Sequence, residues 1–596
     1  MNPKARSRYR QLLRACCVAL PMSLVFPLAQ NAGAADGTWT QISAGSGAGT
    51  WSDATTGTWS GGTVAGGSGS TANFDAVNIT SNSVITLNGA RTIGNIVFGD
   101  TDTSTSGASW TIAGTGLNVL TLAGTTPTVT VNALGASSTA TISAVIDGTS
   151  GLTKNGVGIL TLSGANTYSG GTSVSAGTLR ISTGSGLGSG AVTVASGASL
   201  QFQNTITVTN AINLNGTSAL GLVTGAPTLS GTVTLQSNST IAMGSDSISS
   251  LTISGGLNLG ANQLTVSGSR PLTLSGEITG TGTLNLANIT GSTIITHDNS
   301  NYSGQVNVSR STLALGHDKA IGTGALAFGV NDQNSTLRST DVTARTIGNT
   351  VTLIGNASST YTFGSTTSSA NGNLSFTSTT AIGFGSATKK FVVNNRTEFD
   401  AAFTGSGGLT MQTGTGTLLL DGASTYTGAT TVSAGTLLVN GSLSVSSAVT
   451  VNTGGRIGGT GSVGAVTFNT GAGLAYEVAT AAQGGDGLTA TSFTGSGLSG
   501  FTLYLSGAAT GFNDAQNYTW EVLSSSSVAG ISLGAITLDT TGFGKTFTGS
   551  FNVTKDADSL FVNYVSAVPE PSTYAMIAGG ALLGFAAMRR RRVASV

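Results

Sequence analysis

A right-handed parallel β-helix, all-β through its body, is the fold that this 596-residue sequence predicts. Three observations lead there. First, the stretch "GLTKNGVGILTLSGANTYSGGTSVSAGTLRI" at 151–181 returns as "GLTMQTGTGTLLLDGASTYTGATTVSAGTLLV" at 408–439. A diverged relative, "STIITHDNSNYSGQVNVSRSTLAL", lies between them at 292–315. Second, apolar residues alternate with Thr and Ser over short runs, the period of a strand with one buried face. Third, glycine is 89 of 596 residues, charged residues are 8% and hydrophobic residues 39%. That mixture suits many tight turns around a continuous apolar core, and it is too apolar for a flexible linker. Strands this short cannot bury a face alone, so repetition predicts stacking into a β-solenoid. The expected coil is about 20–25 residues, each adding about 4.8 Å along the axis.

The expected chain has five parts: a signal peptide at 1–34, a capping region with the first coils at 35–150, and the solenoid at 151–465. A β-rich C-terminal cap at 466–566 and a sorting tail at 568–592 complete it. The first segment joins a basic head, "MNPKARSRYRQLLR", to an apolar run and then small residues. Ala32 and Ala34 stand third and first before the expected cleavage point, after Ala34, as in a substrate of Sec export. Both cysteines, Cys16 and Cys17, fall in this segment. Its removal leaves no thiol for a disulfide, a nucleophile or a cysteine zinc site. Trp39, Trp51, Trp59 and Trp110 all precede the first repeat. They are read as an end cap, with sugar-stacking platforms as the alternative.

Within the repeats, Leu160, Leu162, Val174, Leu179 and Ile181 are expected inside. Leu418, Leu420, Tyr426, Val432, Leu437 and Val439 hold the same skeleton in the second long copy. The diverged copy is read with Ile294, Tyr302, Val308, Leu313 and Leu315 inside and Thr296 replacing a leucine. Arg310 and Ser311 replace its Ala-Gly turn, which predicts an altered corner. Beyond 466 the motif fades into longer strands such as "FTLYLSG" and "YTWEVLS".

The tail reads "VPEPSTYAMIAGGALLGFAAMRRRRVASV". Pro569 and Pro571 hold Glu570 extended. The 17 residues at 572–588 carry no charge, which predicts a single short transmembrane helix. Arg589, Arg590, Arg591 and Arg592 follow, a basic stop that keeps its side cytoplasmic.

The order of these three elements resembles the PEP-CTERM sorting signal of Gram-negative bacteria. That resemblance implies an exosortase-type membrane processing enzyme as partner and delivery to the cell surface or extracellular matrix. It also implies association with exopolysaccharide or neighbouring surface proteins. The repeated unit resembles the autotransporter-associated β-strand repeat, found in passenger regions of exported adhesin-like proteins. A standard autotransporter ends in a membrane β-barrel; a sorting tail stands here instead.

Setting aside the nine terminal basic residues and Glu570 of the tail leaves 14 basic and 22 acidic residues, so the body carries 14 − 22 = −8. An acidic body excludes phosphate-backbone binding, and nucleic acid with it. Catalytic candidates are few. The only histidines lie in His297-Asp298 and His317-Asp318-Lys319, two pairs that would meet on successive coils. Asp100/Asp102 and Asp556/Asp558 lack the full oxygen set of a Ca²⁺ loop. The sequence therefore predicts a structural or adhesive surface protein, with no cofactor, no metal and no catalysis of its own. The alternatives are a carbohydrate-active β-helix enzyme, a glycan-binding protein or ice binding. Ice binding would need aligned Thr-x-Thr rows, and the threonines read as scattered.

Overall fold

The computed structural model describes residues 34–567 with short interruptions, together with 576, 579, 581–583 and 585–589. The interruptions fall at 44, 54–57, 105–106, 115, 218, 245–249, 289–290, 482–486, 496–500 and 529. The body is all-β, and its strands pair in parallel from one coil to the next, as a solenoid requires. Ile142, Leu162, Ile181, Phe202 and Leu222 are successive register partners, so these coils span 20, 19, 21 and 20 residues. Leu160, Leu179, Leu200 and Leu220 form the next inward column. Leu160, Leu162, Val174, Leu179 and Ile181 are all fully buried, as are their counterparts at 418–439. Apolar side chains stacked from rung to rung in these columns give a core continuous along the axis.

Four long sheets share the work in sequence. The first runs from Gly37–Thr38 to Ile278–Thr279 and the second from Gly49–Thr50 to Val351–Leu353. The third runs from Thr207–Val208 to Phe493–Gly495 and the fourth from Arg345–Ile347 to Ile536–Phe543. Parallel stacking thus continues past residue 465. It gives way to antiparallel pairing where Ser559–Val565 joins Tyr518–Ser525 and Ser550–Lys555. At the opposite end, Trp39, Trp51, Trp59 and Trp110 are fully buried around Phe74. Each indole N–H donates to a backbone carbonyl, at 2.8 to 2.9 Å. Rings so enclosed cover the end of the core and present no platform to a sugar.

The sequence reading of the diverged copy is off by one in its first strand. Thr293 and Ile295 are buried there, whereas Ile294 faces outward and Thr296 is exposed. An extra residue separates this strand from Tyr302, and a shift of one inverts every side chain of a strand. The turn is altered as expected. Gly177 and Gly435 have φ of 63° and 69°, whereas in the diverged copy Arg310, one position earlier in the motif, takes φ 47°.

The signal segment through residue 33, Ala32 included, lies outside the described residues, as do Pro569, Glu570, Pro571, Arg590, Arg591 and Arg592. Ala34 is exposed at the start of the described chain. Over 572–588 the described positions are helical. Among the described residues, however, no helix is long and apolar enough to cross a membrane.

Candidate functional site

Each repeat copy builds the same corner, and each corner joins two strand ladders. In the first copy the strands Ile159–Leu162 and Thr172–Val174 flank a loop carrying Asn166 and Tyr168. The Asn166 side chain accepts from the Ile146 N–H on the coil below at 2.9 Å. It donates to the Gly186 carbonyl on the coil above at 2.7 Å. One buried amide thus replaces a missing backbone rung in both directions. Asn299 repeats this between Ile278 N–H and Ala320 O, at 2.7 and 2.6 Å. In the third corner Ser424 accepts from Phe403 N–H at 3.0 Å.

Tyrosine fills each corner from inside. Tyr168 and Tyr426 place their hydroxyls 2.6 Å from Thr172 and Thr430. Val306 stands at the corresponding position of the diverged copy, and Tyr302 donates instead to the Gly282 and Gln305 carbonyls. Burial raises all three phenols, Tyr426 to about 12, so none ionises at neutral pH. A second asparagine closes the next rung. Asn210 donates to Gly188 O and Gly190 O, and Asn349 to Gly322 O and Gly324 O, each pair at 3.1 and 2.7 Å. Sequence reasoning found Tyr302 and Tyr426 and missed these asparagines, which lie 20 to 27 residues from the carbonyls they hold.

The two histidine pairs do come together on successive corner loops. Asp298 is held below the usual carboxylate range by Ser300, with His317 and His297 as lesser contributors. Their chemistry is local, however. His297 Nδ1 lies 2.7 Å from its neighbour's carbonyl, and His317 Nδ1 accepts from Lys319 N–H at 3.1 Å. Asp318 accepts from Thr346 N–H on the next coil at 3.1 Å. Asp100, Asp102 and Asp556 likewise accept backbone N–H groups two or three residues on, the geometry of a turn. Among the described residues one trio of carboxylates gathers, Glu398, Asp400 and Asp421, with oxygens within 4.8 Å. Burial and then Asp421 raise the Glu398 carboxyl.

Outward threonines are aligned and not scattered. Thr410, Thr431, Thr450, Thr467 and Thr494 are register partners on successive coils of the third sheet. Thr128, Thr153, Ser173, Thr193, Asn213 and Thr234 form another such column on the first.

The fourth sheet differs. Its outer face holds a groove of about 390 Å³ lined by Arg396, Arg456, Glu477, Tyr504 and Asp539. Arg396 and Glu477 meet at 2.9 Å, and the Arg456 guanidinium lies 3.6 Å over the Tyr504 ring. Its floor includes Leu438 and Ala475, which face outward yet are only 5% and 7% exposed; with Leu419, which lies beyond the groove's lining, they form a cluster separate from the core. Nothing in the sequence reading singled this groove out.

Comparison with known proteins agrees with the corner and the tail. Residues 152–181 and 412–439 match the passenger-associated-transport repeat, and 567–592 match the PEP-CTERM protein-sorting motif. A stretch of 139 residues, 23% of this chain, is 37% identical to the Adhesin BmaC autotransporter of Brucella suis biovar 1 (strain 1330). The match spans 4% of that protein's length.

Proposed function

We propose that this chain is an exported, adhesin-like surface protein that carries its own sorting address. The observation that carries the reading is the state of the tail. Throughout the body large apolar side chains are overwhelmingly buried. In the segment that matches the sorting motif, Met576, Leu582, Leu583, Phe585 and Met588 are 64 to 74% exposed. Large apolar side chains exposed to this degree suit another environment. On this reading Sec export removes residues 1–34 after Ala34. The tail then lodges in the inner membrane, with Arg589, Arg590, Arg591 and Arg592 as its cytoplasmic stop. An exosortase-type enzyme grips Pro569, Glu570 and Pro571, removes the tail and releases the body to the cell surface or matrix. The body acts as a right-handed stack that displays its outer faces and performs no catalysis.

Fractionation tests the tail directly. Full-length protein should reach the surface fraction, and a variant lacking residues 568–596 should instead be periplasmic or freely secreted. Normal surface retention of the truncated protein would sink the sorting reading.

A further inference from the structure

We propose that the outer groove of the fourth sheet is a binding site for a neutral saccharide. It starts from a difference between repeat copies. At equivalent motif positions the first copy places Thr161 and Arg180 outward, and the copy at 408–439 places Leu419 and Leu438 there. Arg180 is bound to Gln201 on the next coil, at 3.1 Å, an ordinary solvated face. Leu419 and Leu438 are instead register partners on adjacent strands. Gly458 follows in the same column and then Ala475, so the floor continues without a protruding side chain. The diverged copy also turns Ile294 and Ala314 outward, and Arg338 follows them in the same column.

The wall decides the ligand class. Two guanidiniums, Arg396 and Arg456, are balanced by two carboxylates, Glu477 and Asp539. A polyanion would meet both carboxylates and a polycation both guanidiniums, so charge complementarity favours a neutral guest. Planar guanidinium and carboxylate groups bind in pairs of parallel hydrogen bonds. Adjacent hydroxyls on a sugar ring, each both donor and acceptor, supply the matching pairs. The C–H face of the same ring is apolar and suits the leucine floor and the Tyr504 edge. The wall is already in place. The Arg396–Glu477 bridge and the Arg456–Tyr504 stack fix these long side chains before a ligand arrives, which lowers the ordering cost of binding.

This names a ligand class for the adhesive reading, and its test is independent of sorting. Purified full-length protein would be titrated calorimetrically with cello-, malto-, manno- and chito-hexaose, and with a hexauronate as the anionic probe. One neutral hexaose should bind at one site per chain, and the hexauronate should bind at least tenfold more weakly. The variant Leu438→Arg installs the residue that the first copy already carries at this motif position. It should keep its thermal midpoint and its surface localisation while losing at least tenfold in affinity. Arg456→Lys, which keeps the charge but loses the planar fork, should lose a similar factor. The proposal is overturned if no neutral hexaose binds at millimolar concentration, if the variants bind as well as the parent, or if the hexauronate binds more tightly.

Discussion

Lys154 shows how much one side chain matters in a continuous core. It points inward from Leu152–Asn155, between Val129 and Val174 on the neighbouring coils, and is fully buried. Its ammonium donates to the carbonyls of Asn155, Gly156 and Ala176, at 2.8, 2.8 and 3.1 Å. These partners are dipoles and not charges, so burial lowers its pKa from 10.5 to about 8. Between those values the unfolded chain holds a proton that the folded chain has released. Stability therefore rises with pH through the window from about 8 to 10.5, by on the order of 3 kcal/mol at 1.36 kcal/mol per unit. Below pH 8 the buried charge is fully present and weakens the fold. The second long copy carries Met411 at this motif position, buried and uncharged. Lys154→Met should stabilise the protein by about 2 kcal/mol at pH 7. Denaturant titrations at pH 7 and pH 10 check this, and the advantage should shrink at the higher pH. An advantage unchanged between the two would mean that the lysine is not titrating in this window.

Corners, at the scale of elements, are held by side chains standing in for backbone. Asn166→Ala removes one acceptor and one donor at once, stranding the Ile146 N–H and the Gly186 carbonyl. Two unsatisfied buried groups cost about 2–4 kcal/mol. Because a solenoid is coupled mainly to its nearest coils, the loss should be local. Hydrogen exchange at Ile146 should accelerate about thirtyfold or more, while the amides around Ser424 stay protected. Uniform acceleration along the chain would show that the corner is not an independent element.

The strands of these copies were legible in the sequence because period two and the Gly-rich turns agree. The diverged copy was misread in one strand because loop length, invisible to a spacing argument, set the face of Ile294. Asn210 and Asn349 escaped notice because their partners lie one coil away. The groove escaped it for a different reason. In "TLLL" and "GTLLV" an outward leucine looks like one more core residue, and only the register of neighbouring strands exposes it.

For the whole molecule, a body without cysteine, stabilised by ladders and corner side chains, precedes a C-terminal segment that matches the PEP-CTERM protein-sorting motif. Composition and motif order made both legible, and the parallel pairing of the sheets agrees with the first. The match of residues 567–592 to the sorting motif agrees with the second. The activity was less legible, since a binding groove depends on which residues share an outer column. The central claim concerns what remains at the surface after export. Intact-mass measurement of the protein extracted from the surface of its native host tests it most directly. The account predicts a chain that begins at Ala35 and lacks the apolar segment and Arg589 to Arg592. A surface-located chain that still carries residues 572–592 would contradict it.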